Sequence, residues 1–384
     1  MELLFREDQN HYHGPANYNH NPFEYYEISS RKEIGVVRRE LNRWFSNYPI
    51  EHRKELKNSF KKHFDDSFYE LFLHQLFLQL GFQVEIHPSI QNSRKKPDFL
   101  ISKNNLEIYV EAKVVTGKSK EEEANERKTN EVLDNLNKIK SKEFFLHISR
   151  LKFNSNKQPR IKEIVQLVEE QLKLNNPDKI EKILKEQGLT NLPSIKINNQ
   201  DIDLVIGLIP KSKTVRNDYN RPIDILPGKS FWGGGEQKLR EAIEMKAKRY
   251  GEIEKPFIVC INSLDIKTTD KLDVDYAIWG AKGLSENKLF QNIEEKLDQF
   301  SNSIFVKNGI PRLKYLNGIL INQVYPSSVP NSKYYLYENP FTEDKFNIND
   351  LGLDFNSSKS NFKNDVIGNN LDRIFNLSKD WLNA

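Results

Sequence analysis

The chain has 384 residues, of which 37% are hydrophobic and 29% charged, so it can bury at least one sizeable core. Its formal net charge of +4 is only weak support for a nucleic-acid partner. No segment approaches the ~20 apolar residues of a membrane helix, the N-terminus lacks a secretory pattern, and Cys260 is the single cysteine, so we expect a cytoplasmic protein without a membrane partner.

The N-terminal part divides into an irregular or mobile leader and a basic helical segment. Residues 1–25 are rich in Asn, His, Tyr and Pro and show no apolar period. From Ile34 to Phe45 the apolar residues recur at helical spacing, and a second, basic helix is predicted from about Glu51. Residues 31–62 hold ten Lys or Arg against four Glu, a local excess of +6. This excess indicates either a nucleic-acid-binding surface or a solvated helix face.

The next segment predicts a helix followed by three strands. Residues 67–81 carry an apolar stripe that ends at Gly81, a favourable helix stop. Three short strand-like runs follow, the last two joined by a tight turn at Lys103-Asn104-Asn105: Phe82–His87, Asp98–Ile101 and Leu106–Val115. A charged helix at about 118–140 and a strand at Phe144–Leu151 complete the order helix, three strands, helix, strand.

Helix and strand signals alternate through the second half of the chain. Helices are predicted at Ile161–Leu174, Lys179–Gln187 and Lys238–Tyr250. Strands are predicted at Ile202–Ile209, Pro256–Ile261, Ile319–Val324 and Tyr334–Leu336. The run Gly233-Gly234-Gly235 lacks the spacing of a phosphate-binding loop and favours a connector. A polar tail follows about Asp354, with a docking helix predicted at Val366–Trp381.

One predicted strand carries residues suited to cleaving a phosphodiester bond with a metal ion. In the segment LEIYVEAK every second side chain is apolar, so Glu111 and Lys113 share the opposite face. A hairpin that turns near Asn104 places Asp98 roughly opposite Glu111. Two carboxylates then converge with a lysine. Carboxylate oxygens suit a hard cation such as Mg²⁺, and a lysine can stabilise charge at the attacking water or the phosphate.

The residues Pro97-Asp98 and Glu111-Ala112-Lys113, with Glu70 on the preceding helix, resemble the PD-(D/E)xK nuclease superfamily. The resemblance implies a restriction-endonuclease-like core, a mixed central sheet flanked by helices. It implies that Asp98 and Glu111 bind Mg²⁺, for which Mn²⁺ can substitute. It further implies that Lys113 orients or activates the attacking water, and that Glu70 contacts the metal through water. The implied catalytic set is Glu70, Asp98, Glu111 and Lys113.

The predicted fold class is therefore α/β, in three regions. Residues 1–62 form the leader and the basic helical segment, residues 63–155 the nuclease core, and residues 156–384 a C-terminal α/β extension of unassigned role. A longer set of segments, among them KLREAIEMKAKRYG and KPFIVCIN, resembles a widespread group of uncharacterised bacterial proteins. That second resemblance spans most of the chain and implies no particular function.

Six further residues are candidates for contacting nucleic acid: His74, Arg94, Lys95, Lys96, Arg127 and Asn130. Each has a structural alternative. His74 also fits a buried core histidine, the three consecutive cations a solvated loop, and the last two residues an exposed helix face. Glu70 has an alternative too, because Ser67-x-x-Glu70 matches a capping box.

These features favour a DNA endonuclease, acting in restriction or in defence against phage. The alternatives are a nuclease acting on RNA or on branched DNA, and a nucleic-acid-binding module with a vestigial site. A single site of this type cuts one strand, so double-strand cleavage would require a homodimer.

Overall fold

The computed structural model describes most of the chain: residues 2–91, 93–188, 191–216, 221–226, 235–251, 253–265, 271–280, 303–342, 347–353, 368 and 370–383. The chain folds into two compact units. The first unit comprises residues 1–14, 21–117 and 232–384, and the second comprises residues 15–20 and 118–231.

The helices and strands alternate along the chain. The helices are α1 (Pro22–Ile28), α2 (Lys32–Asn47), α3 (Ile50–Phe60), α4 (Phe64–Gln79), α5 (Lys120–Leu136), α6 (Ile161–Leu174), α7 (Pro177–Gln187), α8 (Gly235–Ala247), α9 (Lys271–Trp279) and α10 (Leu371–Phe375). The strands are β1 (Gln83–Ile86), β2 (Phe99–Lys103), β3 (Leu106–Val115), β4 (Phe144–Phe153), β5 (Ser194–Asn198), β6 (Ile202–Pro210), β7 (Ile223–Ile225), β8 (Phe257–Ser263), β9 (Val306–Lys307), β10 (Ile310–Pro311), β11 (Leu316–Asn322) and β12 (Tyr334–Glu338). Among the described helices, none combines the length and the apolar character needed to cross a membrane.

The first unit contains a six-stranded mixed sheet in the order β1-β2-β3-β8-β11-β12. Strands β1, β2 and β3 pair antiparallel, β3, β8 and β11 pair parallel, and β12 returns antiparallel to β11. The predicted α/β class with a mixed sheet flanked by helices is confirmed.

The two faces of β3 build two different cores, because successive side chains of a strand point to opposite sides. Ile108 and Val110 join a cluster with α2 and α4, which contribute Trp44 and Phe72 among others. Tyr109 faces the other way, into a cluster formed with side chains of α8 and α9. The central strand is therefore covered on both sides.

The last strand of the predicted core belongs to the other unit. The predicted core, residues 63–155, used Phe144–Leu151 as its last strand. That segment does form a strand, β4, but it pairs with β6 and β7 in the second unit. The place beside β3 belongs to β8, whose seven residues are all buried. A parallel central strand needs burial on both faces, whereas β4 has several exposed residues.

The second unit has its own sheet and its own apolar core. Its four strands lie in the order β5-β6-β4-β7, and β5 pairs antiparallel with β6 in a hairpin that follows Asn198. Helices α5, α6 and α7 contribute buried residues to this core, among them Leu133, Val168 and Ile180. The region predicted as residues 156–384 is thus divided between the two units.

The tail is helical at α10, within the predicted Val366–Trp381. The Phe375 ring lies 5.2 Å from that of Phe72 and 5.0 Å from that of Trp44, so the tail packs on the first unit's core. Residues 366, 367 and 369 of that prediction lie outside the described residues. So do Gly233 and Gly234 of the glycine run.

The leader is irregular up to α1, as predicted, but its first residues pack into the first unit. Leu4 and Phe5 are fully buried. The Asn42 side chain accepts from the Phe5 amide at 2.9 Å and donates to the Phe5 carbonyl at 3.0 Å. The Phe5 ring lies 4.9 Å from that of Phe23. Two aromatic rings and a paired amide therefore hold a segment whose composition predicted no order.

We expect Phe5→Ala to lower the free energy of unfolding by about 3–5 kcal/mol, the cost of removing a buried aromatic side chain. The matched control is Ile50→Ala, because Ile50 is 76% exposed and its loss should change stability by about 0.5 kcal/mol or less. Urea titrations of both variants and of the wild type measure the difference. Equal midpoints for Phe5→Ala and wild type would contradict packing of the leader.

Candidate active site

The hairpin of β2 and β3 brings Asp98 and Glu111 together. Phe99 pairs with Val110, so the next position outward sets Asp98 opposite Glu111, as the predicted register requires. Asp98 immediately precedes β2, and its Oδ2 accepts a hydrogen bond from the Ala112 amide at 2.7 Å. Strand β3 continues to Val115, past the position that pairs with Phe99, the first residue of β2. The two carboxylates therefore lie where β3 loses its antiparallel neighbour.

Glu111 is fully buried, and its carboxylate contacts three side chains from the end of α8 and the residues that follow. Lys246 forms an ion pair with Glu111 Oε2, and its Nζ lies 3.6 Å from Asp98 Oδ2. Arg249 lies 3.6 Å from the same Glu111 oxygen. The Tyr250 hydroxyl donates to Glu111 Oε1. Sequence reasoning missed these three residues, since no spacing rule connects them to a strand so far away in the chain.

The Glu111 carboxyl is strongly perturbed by this environment. Burial raises its pKa most, and the neighbouring Asp98 charge raises it further. Lys246 and Arg249 act in the opposite direction, and the net effect is a pKa of about 7. The group is thus poised to change charge near neutral pH.

Glu70 belongs to the same electrostatic group and does not cap its helix. Helix α4 begins after His63, which puts Ser67 within the first turns, where its hydroxyl donates to Ser59 Oγ at 2.8 Å. The Glu70 Oε1 instead accepts from the Tyr48 hydroxyl at 2.5 Å. Burial raises the pKa of Glu70 to about 7; the Tyr48 hydrogen bond opposes this, and the Asp98 charge adds to it. Asp98 therefore acts on both glutamates.

Lys113 forms its ion pair with an acid of α4. Its side chain is 43% exposed, and its Nζ lies 3.8 Å from Asp66 Oδ1 on α4. Within the described residues its ion pair is with Asp66, whereas the ammonium that contacts Asp98 and Glu111 belongs to Lys246.

His74 is a core histidine, so the prediction of a direct nucleic-acid contact is revised. It is 2% exposed, and its ring lies 4.7 Å from that of Tyr48. Burial lowers its pKa to about 4, which keeps the ring neutral at physiological pH. The physical reason is that α4 is buried on nearly all sides, so a position one turn after Glu70 still points into the core.

The cations Arg94, Lys95 and Lys96 form an exposed loop next to the Glu111 contacts. Lys95 donates to the Arg249 carbonyl at 3.0 Å. The Tyr250 hydroxyl lies 2.7 Å from the Lys96 carbonyl. The loop is therefore anchored to Arg249 and Tyr250, which both contact Glu111. Its place in the sequence indicated only that it lies next to Asp98.

Arg127 and Asn130 lie on α5, in the second unit. The Asn130 amide donates to the Tyr18 carbonyl at 3.1 Å, and Arg127 is exposed. Asp98 and Glu111 belong to the first unit, so a nucleic-acid contact of Arg127 and Asn130 stays a prediction.

Part of the positive charge in residues 31–62 supports the fold. Arg38 is buried and donates to the carbonyls of Tyr26 and Ser29. Arg53 donates to the carbonyls of Ser46 and Tyr48, and Lys57 to that of Leu3. The exposed cations of this segment include Arg39, Lys54, Lys61 and Lys62.

Comparison with protein-family models, with curated proteins and with solved structures found no match for the chain. The candidate site is therefore described by its own chemistry.

The carboxylates suit Mg²⁺ in type and number. Among the described residues, no group of three or more His, Cys, Asp or Glu side chains is arranged to hold a metal ion. Mg²⁺, however, is usually bound by one or two carboxylates and completed by waters and substrate phosphates. Asp98 and Glu111 supply two, and they already share one cationic group, the Lys246 ammonium. The position is thus one that favours positive charge.

We expect the stability of the protein to fall as the pH rises through the pKa of Glu70. Folding raises this pKa from 4.5 to about 7, so the folded state holds the proton more tightly. The contribution to stability is full below pH 4.5 and is lost as the pH rises through 7. From pH 5 to pH 8 the free energy of unfolding of the Glu70→Gln variant should fall by roughly 2 kcal/mol less than that of the wild type. This value is discounted for the partial exposure of Glu70.

Urea titrations at the two pH values measure this difference. Glu51→Gln, at an exposed position on α3, is the matched control and should follow the wild type. If Glu70→Gln and wild type lose the same stability, Glu70 does not carry a raised pKa.

Proposed function

We propose that the first unit is a metal-dependent nuclease of the PD-(D/E)xK type, which hydrolyses phosphodiester bonds in DNA. One observation carries the proposal. Two carboxylates from paired strands, Asp98 and Glu111, share a cationic position at the point where β3 extends beyond β2. This is the arrangement in which a hard cation and a phosphate oxygen can meet.

The topology supports a restriction-endonuclease-like core. The order helix, three strands, helix, strand is met by α4, β1, β2, β3, α8 and β8. In this interpretation residues 118–231 are an insertion between β3 and α8. The parallel pairing of β3 with β8 requires a crossover connection, and such a connection accommodates extra chain.

Each proposed role follows from the position of the side chain. Asp98 and Glu111 would hold Mg²⁺, or Mn²⁺ in its place. When bound, the ion would polarise a phosphoryl oxygen and lower the pKa of a coordinated water. Glu70, with a pKa of about 7, is suited to exchange a proton near neutral pH. Lys113 is exposed and can reach a phosphate or the attacking water.

DNA is the favoured substrate, and the exposed Arg94–Lys96 loop beside the site supports a polyanion. RNA or branched DNA offers the same phosphate chemistry and remains the alternative within the enzyme class. The alternative outside it, a binding module, is less favoured. Two glutamates with raised pKa values, Glu111 fully buried and Glu70 partly exposed, oppose folding at neutral pH, and such perturbed groups are typical of active sites. A role in restriction or phage defence is an analogy with the superfamily.

We expect Asp98→Asn, Glu111→Gln and Lys113→Met each to lower Mg²⁺-dependent cleavage by about a hundredfold or more, because each removes a charge that acts in the transition state. Glu107→Gln is the matched control on β3, since Glu107 pairs with Lys255 at 3.1 Å and lies outside the site. Nicking of supercoiled plasmid, with parallel single-stranded RNA and branched DNA substrates, provides the measurement. Wild-type cleavage by either carboxylate variant would show that the metal ligands are wrongly assigned.

We expect the double variant Arg94→Gln and Lys96→Gln to weaken binding to all DNA sequences alike. Counterion release makes log affinity fall linearly with log salt, by about 0.9 per duplex phosphate contact. The slope should therefore decrease by roughly two. Lys54→Gln with Lys62→Gln, two exposed cations of α3 and its end, tests the other basic surface in the same way. Affinity at four salt concentrations measures both slopes, and an unchanged slope would exclude the loop from the binding surface.

A further inference from the structure

We propose that Lys246 is a further active-site residue: its ammonium group holds the position between Asp98 and Glu111 that a divalent ion needs, is displaced when the ion binds, and then contacts the substrate phosphate. The inference rests on the proposed nuclease function. It assigns to a helix in a distant part of the chain a role that the sequence motif gives only to Lys113.

The contacts define the position of the ammonium. Lys246 pairs with Glu111 Oε2, and its Nζ is 3.6 Å from Asp98 Oδ2. Its side chain is only 13% exposed. It lies in the last turn of α8, directly before Ala247, whose side chain is fully buried in the core. The helix thus anchors the lysine stem while its charged end lies between the two carboxylates.

The ammonium occupies space that a divalent ion between the two carboxylates would need. Mg²⁺ demands oxygens at about 2.0–2.1 Å in near-octahedral geometry. The Lys246 ammonium pairs with Glu111 Oε2 and lies 3.6 Å from Asp98 Oδ2, so it stands in that space. Two cations a few ångströms apart also repel each other strongly where water is scarce. Binding of the ion through Asp98 and Glu111 therefore requires Lys246 to move.

A displaced Lys246 remains next to the reacting centre. Its flexible stem lets the charge swing without moving α8. A compact ammonium is an effective point-charge partner for a phosphate oxygen. The bound ion, with Arg249 3.6 Å from Glu111, would then disfavour a return of the ammonium to the carboxylates. A phosphate bound at the ion offers the ammonium an anionic partner.

The test is chemical labelling of lysines in the full-length wild-type protein. Acetic anhydride is applied in MgCl₂ and in KCl of equal ionic strength, and the modified lysines are quantified by mass spectrometry. Moving Lys246 from 13% exposure toward the 43% of Lys113 should raise its labelling about threefold. The control on the same helix end is Lys248, which is 54% exposed and paired with Glu244, and its labelling should not change.

Two additions separate the parts of the proposal. Calorimetric titration with MgCl₂ shows whether the ion binds at all, and Asp98→Asn should abolish both the binding and the increase in Lys246 labelling. Duplex DNA added in MgCl₂ should lower Lys246 labelling again, because the ammonium then contacts phosphate, while Lys248 stays constant.

Each outcome decides one statement. Mg²⁺ binding with unchanged Lys246 labelling overturns the displacement but leaves the nuclease proposal intact. An absence of Mg²⁺ binding overturns the metal site and this inference together. If Mg²⁺ raises Lys246 labelling and DNA does not lower it again, only the phosphate contact is overturned.

Discussion

The ion pair between Glu111 and Lys246 is the interaction on which the site depends. A buried carboxylate is costly unless a cation and hydrogen bonds compensate it. Glu111 meets this requirement with Lys246, Arg249 and Tyr250. Lys246 is 135 residues away in the chain, so the acid on β3 is compatible with folding only when α8 packs against that strand. Strand β8, which pairs parallel with β3, is the next element after α8 in the chain.

The same arrangement keeps unfavourable interactions between acidic side chains in the site. Burial raises the pKa of both Glu70 and Glu111, the Asp98 charge raises both further, and both values reach about 7. Three acids brought this close oppose folding unless charge is neutralised. The Tyr48 hydrogen bond lowers the pKa of Glu70, and the Lys246 charge lowers that of Glu111. A fold that retains such a group carries a stability cost that is typical of a functional site.

The chain connectivity explains why one segment misleads when it is considered alone. Between β3 and α8 lies a complete second unit with its own sheet and core. Its first helix and strand, α5 and β4, follow β3 in the order predicted for the last two elements of the core. Local periodicity identifies an element but not its partner, since partner choice depends on contacts distant in sequence. Burial distinguishes the candidates, because β8 is apolar on both faces and β4 is not.

The sequence by itself determined the elements and one hairpin. Alternation along β3 and the turn near Asn104 are local properties, and they were enough to set Asp98 opposite Glu111. Only the tertiary structure decided the rest. It paired Lys113 with Asp66, placed Lys246 at the two carboxylates, buried His74, and assigned Arg127 and Asn130 to the second unit. The physical reason is that the charge state of a group in a site depends on its neighbours in space. Here those neighbours come from helices that no short spacing pattern connects to the strand.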